Sequence, residues 1–411
     1  MRLPVLTLLY CVAFVLFLLG RHPSMAQEPQ ASPPPPDDAV AVEAAGLRRF
    51  AFELYGELRS RDGNLFVSPY SVSAALTLAY VGAAGKTEQE MATALHLGAD
   101  RAAALQSRAA IHEPYRRRDL DRSQLVIANR FWGQSGVGWR PSFIEECQRY
   151  FDATHAHLDF AADSAACRDT INQWVSERTD AKIPQLIPEG ILDASTRLVI
   201  TNAICFKGTW ITRFESANTQ DGPFHVRPDQ TVDVPLMRSK SRFPHARGDG
   251  WQLLGLPYAG DRFSMVILLP DSVDGLAELE AKLSADQAAA WTALLEPTSV
   301  AIVLPRFRLR TRVELAPVLA KLGMESTFTT RADFSRMTEG EPLAISNVIH
   351  EAFVEVNEEG TEAAAATGVV LKRAAPRPNP RFVADHPFLF WIHDRATNCI
   401  LFLGRVVDPR G

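Results

Sequence analysis

The sequence predicts one mixed α+β domain of about 370 residues, above the usual single-domain size. Three observations predict it: helical and strand periodicities alternate along the chain, no internal repeat divides it, and no second linker interrupts it after residue 43. With 411 residues, 46% of them hydrophobic, the chain can bury a large core.

Ahead of the domain, Arg2, an apolar run over 5–20 and the residues Ser24, Met25 and Ala26 follow the order of a secretory signal peptide over 1–26. The run also reaches the lower edge of a membrane-spanning length, so an uncleaved anchor is the alternative, and the expected location is secreted or cell envelope. Residues 27–43 hold Pro29, the prolines at 33–36 and Asp37-Asp38, and read as an extended, solvated linker.

The domain, expected over 44–411, opens with a helix in which Leu47, Phe50, Ala51, Leu54, Tyr55 and Leu58 recur at helical spacing. A short strand at 64–69 ends at Pro69, and a small-residue helix follows over 71–81. Thr87 and Glu90 have capping-box spacing and predict a helix running to Leu97. Strands are expected over 124–132 and 198–206, helices over 141–150 and 166–179. Apolar runs at 251–258 and 263–270 flank Ala259-Gly260-Asp261, a hairpin turn. A strand over 300–309 is broken by Pro305, and a helix over 315–322 stops at Gly323. A long strand over 343–357 then runs into 358–367, EEGTEAAAAT, where propensity alone favours a helix and a loop is the alternative.

Charge and motifs remove several functions. The net charge of −5 argues against a general nucleic-acid binder. Arg116-Arg117-Arg118 is diluted by Asp119 and Asp121, so it reads as solvated surface and not as a glycosaminoglycan site. Outside the signal, Cys147, Cys167, Cys205 and Cys399 fit no CxxC or zinc spacing; Cys205 reads as a buried thiol, and a Cys147–Cys167 bridge stays open. No nucleophile elbow, HExxH, Walker A or GxGxxG is present, which removes the support for a hydrolase. His350 stands inside an apolar strand, where a buried imidazole needs hydroxyl or amide partners.

Four stretches carry a more specific signal: 64–75 (NLFVSPYSVSAA), 201–210 (TNAICFKGTW), 345–366 (ISNVIHEAFVEVNEEGTEAAAA) and 385–409 (DHPFLFWIHDRATNCILFLGRVVDP). In this order they resemble the serpin family of serine protease inhibitors. The resemblance implies an α+β fold of three β-sheets with about nine helices and an exposed reactive loop over about 358–380. It implies a suicide inhibitor: a serine protease cleaves the loop, and the loop's N-terminal part inserts as a strand into the central sheet before the acyl-enzyme hydrolyses. The implied partner is the protease, met by a monomer without cofactor or metal. A non-inhibitory binding or chaperone-like serpin is the alternative.

The same resemblance assigns roles. Glu358, Glu359 and Gly360 begin the hinge. As a strand, the segment would turn Thr361, Ala363, Ala365, Thr367, Val369 and Leu371 inward, and Glu362, Ala364, Ala366, Gly368, Val370 and Lys372 toward solvent. Asn64, Ser68, Ser71, Asn202 and His350 would form a buried polar network beneath the sheet. Trp210 would pack under the insertion point with Glu358 paired to Arg306. Glu351 departs from the family, which usually has a lysine there, so its charge pairing is open. The scissile bond is expected at Ala374-Ala375, implying an elastase-like target, or at Arg373-Ala374, implying a trypsin-like one.

Overall fold

The structure, a computed structural model, describes residues 37–116, 119–120, 122–151, 155–340, 342–361 and 380–411. The signal segment, most of the linker, hinge residues Glu362 to Thr367 and the bonds at 373–375 lie outside the described residues.

Nine α-helices occur among them: α1 (Asp37–Leu58), α2 (Pro69–Gly82), α3 (Gly85–Ala94), α4 (Arg101–His112), α5 (Pro141–Phe151), α6 (Phe160–Arg178), α7 (Leu276–Lys282), α8 (Ala285–Thr292) and α9 (Ala316–Lys321). The strands are β1 (Leu65–Val67), β2 (Asp119–Leu120), β3 (Ser123–Gln134), β4 (His155–Leu158), β5 (Leu198–Thr209), β6 (Gln220–Arg227), β7 (Gln230–Gly248) and β8 (Trp251–Pro257). They continue with β9 (Phe263–Pro270), β10 (Glu296–Pro305), β11 (Phe307–Glu314), β12 (Val348–Val356), β13 (Gly360–Thr361), β14 (Arg381–Val383), β15 (Phe388–Asp394) and β16 (Ile400–Val406).

Hydrogen bonding joins these strands into two sheets. One runs β11-β12-β13-β5-β3-β2 with β4 on β3; the other runs β1-β16-β15-β9-β8-β7-β10-β14 with β6 on β7. Three sheets were expected, and the 19-residue β7 explains the difference. It pairs in turn with β6, β10 and β8, so strands that would divide into two sheets share one ladder.

Three local expectations change. The helix α1 begins at Asp37, inside the expected linker, because Asp37 and Asp38 occupy its first turn, where carboxylates suit the helix dipole. Thr87 and Glu90 do not cap α3: Thr87 Oγ1 meets Ser326 Oγ at 3.0 Å and accepts the Asp333 N–H, and Glu90 accepts the Ser326 N–H at 2.8 Å. The strand broken at Pro305 is two strands in different sheets, β10 and β11, with Arg306 at the crossing. The hairpin between β8 and β9 forms as expected, with Gly260 at φ 90° and Asp261 at φ 58°.

The core follows from period-two burial. On β5, Ile204 and Phe206 pack inward against the larger sheet, while Ala203 and Cys205 face α6 on the outside. Both faces are covered, which is why 198–206 reads as an unbroken apolar run. On β11 only one face is covered, and Arg308, Arg310, Arg312 and Glu314 alternate with buried Phe307, Leu309, Thr311 and Val313.

Candidate functional site

The buried network is built where β12, β5 and β3 run side by side. Their register sets His350 opposite Asn202 and Asn202 opposite Asn129, all on the inner face. The N-terminus of α2 meets this row because Ser68 is the helix N-cap, its hydroxyl accepting the Ser71 N–H.

His350 is fully buried. Its Nε2 accepts the Ser68 backbone N–H at 3.0 Å, which leaves the proton on Nδ1, donated to Asn202 Oδ1 at 2.6 Å. Desolvation holds the imidazole down to about 3, so it is neutral at physiological pH. Asn202 Nδ2 lies 2.7 Å from Ser71 O, 2.6 Å from Ser71 Oγ and 2.8 Å from Asn129 Oδ1, so three acceptors share two hydrogens. Ser68 Oγ donates to Leu401 O at 2.6 Å, tying the row to β16 of the other sheet.

One expected member belongs elsewhere. Asn64 accepts the Val407 and Asp408 N–H groups and donates to Asp408 O, so it fastens the chain ahead of β1 to the segment after β16. It makes no hydrogen bond to the His350 row. Asn129 takes a place the sequence reading missed, although an amide in the middle of an apolar strand was a visible signal.

At the upper end, β12 and β5 part. They pair directly only from Val348↔Ile200 to Phe353↔Cys205. Above Phe353, the chain turns back after Val356, and β13 enters the space between them. Thr361 pairs with Val356 of β12 and with Gly208 of β5, and Gly360 pairs with Thr209. Gly360 and Thr361 are therefore seated in the sheet. Thr361 is fully buried, and its hydroxyl shares a 2.7 Å hydrogen bond with the buried Tyr258 OH. Gly360 is required by close approach, since a Cβ there would stand 1.9 Å from Gly208 O.

The turn into β13 is held from three sides. Trp210 donates its indole N–H to Asn357 O at 3.0 Å, stacks on Tyr258 at 4.4 Å, and its backbone N–H reaches Glu359 O. Phe214 N–H reaches Glu358 O. The Glu358 carboxylate is nearly buried; Arg306 Nε stands 2.8 Å from both its oxygens, and Thr219 Oγ1 donates to it. Burial works to raise this carboxyl, and the hydrogen bonds from Arg306 and Thr219 outweigh it and hold it below the usual range. The structure thus brings together Trp210, Arg306 and Glu358, and it adds Tyr258 and Thr219, to which the sequence assigned no role.

The outer face of this sheet is covered over β5 and β12. After α6, Asp180 and Ala181 take positive φ of 49° and 58°, and the segment 180–187 crosses the sheet with Ile183, Leu186 and Ile187 buried against Ala203, Cys205 and Ile349. Glu351 lies under this segment, fully buried, and pairs with Arg310 at 3.2 Å and Arg312 at 2.7 Å on β11.

The family model described as serpin, serine protease inhibitor, matches residues 45–409. A leukocyte elastase inhibitor of Sus scrofa is 39% identical over 382 residues, covering 89% of this chain and 99% of that protein. The chain belongs to the serpin family. Serpin B8 of Homo sapiens is 40% identical over 372 residues, 88% of this serpin and 97% of that one. The solved structure of Serpin48 from the insect Tenebrio molitor matches with a TM-score of 0.80 at 30% identity, covering 90% and 98% of the two chains. In this serpin Cys147, Cys167, Cys205 and Cys399 are buried free thiols, so Cys147 and Cys167 do not pair; desolvation by burial pushes the Cys399 thiol up to about 11.

Proposed function

We propose that this serpin inhibits a serine protease by cleavage and insertion of its reactive loop. The observation that carries the reading is β13: Thr361 is already seated between β12 and β5 with its side chain inward.

Extending β13 in register, antiparallel to both neighbours, sets Ala363 beside Phe206 and Val354, Ala365 beside Ile204 and Ala352, and Thr367 beside Asn202 and His350. Small inward residues suit the crowded space between the sheets. At the level of Thr367 the entering strand would replace the His350–Asn202 hydrogen bond, and its hydroxyl, donor and acceptor at once, can serve both partners. On the outer face, Ala364, Ala366 and Gly368 would run beneath the 180–187 segment, so the alanines on that side answer to burial and not to solvent. Glu362 would stand beside Lys207 near the rim. About ten new backbone hydrogen bonds, each worth roughly 1 kcal/mol net, would favour the inserted state by on the order of 10 kcal/mol.

The relatives named leukocyte elastase inhibitors support cleavage at Ala374-Ala375 by an elastase-like enzyme, and Arg373 offers a trypsin-like alternative. Residues 1–26, as an export signal, would put the encounter outside the cytoplasm. The test is incubation of the purified protein with elastase and with trypsin, followed by denaturing gels and mass spectrometry of the released C-terminal peptide. An SDS-stable complex is expected. Clean cleavage that leaves both proteases active sinks the reading and favours a non-inhibitory role.

A further inference from the structure

The segment 180–187 is fastened on both sides of the slit that an inserting strand would have to open. On the β5 side, Lys207 reaches Asp180 at 3.5 Å, and Asn172 of α6 makes two hydrogen bonds with the backbone of Ile187. On the far side the fastening comes from β11. Arg310 donates one nitrogen to Glu351 and another to the Lys182 carbonyl at 2.7 Å; Arg312 donates Nε to Glu351 and its terminal nitrogen to the Gln185 carbonyl. One buried carboxylate therefore aims two arginines at two backbone carbonyls of the strap.

We propose that Glu351, acting through Arg310 and Arg312, is a positioning residue for loop insertion: it clasps the 180–187 strap across the slit between β5 and β12 and sets how fast the sheet opens. This rests on the insertion mechanism proposed above. The clasp sits where it counts, because Glu351 lies two residues below Phe353, the uppermost direct pair of β12 with β5. Insertion of one strand widens that gap by about 4.8 Å. The strands β11 and β12 stay paired, so Glu351 keeps its arginines. The two Arg–carbonyl bonds are the ones that stretch beyond hydrogen-bonding reach, unless the strap leaves β5.

The clasp can be measured without any protease. A synthetic peptide of residues 361–372, TEAAAATGVVLK, is incubated with the purified full chain and its annealing rate followed. Glu351→Gln and the double variant Arg310→Ala/Arg312→Ala are compared with the unaltered protein. Loss of one net hydrogen bond corresponds to about a five-fold rate change, so the double variant is expected to anneal peptide about 25-fold faster and Glu351→Gln about five-fold or more. Combining all three substitutions should add no further rate to the double variant, whereas a merely structural loss at Glu351 would lower the urea midpoint without raising the annealing rate. If Glu351→Gln or the double variant does not fold, the triple variant, which leaves no unpaired buried charge, still decides.

Unchanged annealing rates, full additivity in the triple variant, or no annealing in any form overturns the clasp. Failure of the unaltered protein to trap elastase or trypsin, with the annealing pattern intact, instead overturns the inhibitory reading and leaves the clasp standing.

Discussion

His350 is neutral because burial removes its water and because its two hydrogen bonds, one accepted and one donated, suit only the neutral ring. The unfolded chain, titrating near 6.5, takes up a proton that the folded protein refuses. Its contribution to stability is therefore complete above pH 6.5 and is lost as pH falls toward 3, by about 1.4 kcal/mol per unit. His393, held down to about 4 by burial, adds a loss of the same sign. Urea midpoints taken between pH 7.5 and 5 should fall in the wild type, and His350→Gln should lose His350's share of that slope while keeping that of His393; an unchanged slope would mean that His350 is charged when folded. Gly360 offers a second residue-scale test. A methyl group there meets the Gly208 carbonyl, so Gly360→Ala should expel β13. Faster hydrogen exchange at the Trp210 amide, bonded to Glu359 O, reports this, and exchange as slow as wild type would show that β13 tolerates the methyl group. His350 was legible as a buried imidazole from its place in an apolar strand. Asn64 was not separable from it, because an asparagine beside a strand looks the same whether it binds a neighbouring strand or a distant tail.

At the scale of elements, β13 is a strand of two residues, Gly360 and Thr361, which the proposed insertion would lengthen. Thr361→Arg would have to bury a cation against Tyr258, and an unpaired buried charge costs several kcal/mol. The variant should be cleaved as a substrate, with complex on denaturing gels reduced at least ten-fold; an undiminished yield would contradict inward seating of this side chain. The strands β5, β8, β9, β12 and β3 were readable because burial on one or both faces leaves an apolar signature. The β6–β7 hairpin was not, since much of it is exposed and polar and its pairing is fixed by neighbours distant in sequence. The capping box at Thr87 failed for a related reason: Ser326 and Asp333 offered those side chains partners that local spacing does not reveal.

For the whole molecule, β12 and β5 lie in direct contact from Val348 to Phe353, and the proposed insertion would put a better-bonded strand between them. A chain cut within 373–375 should therefore resist heat far better than the intact one. Spread over an unfolding entropy of roughly 0.8 kcal/mol/K for a domain of this size, on the order of 10 kcal/mol corresponds to a rise in Tm of about 13 °C. Differential scanning calorimetry before and after limited proteolysis checks this, and equal transitions would exclude insertion as the driving step. The family and its overall architecture were legible in four separated stretches; that the strands join into two sheets was not, because β7 has no sequence mark where it passes from one partner to the next. The described residues that flank the proposed reactive loop lie in different sheets, Thr361 between β12 and β5 and Arg381 beside β10. Once the bond is cut, twelve residues of new strand would carry the acyl carbon about 40 Å from the amine it left. Resynthesis of the peptide bond then lacks its nucleophile, so the reaction would run one way for want of a meeting place and not for want of chemistry.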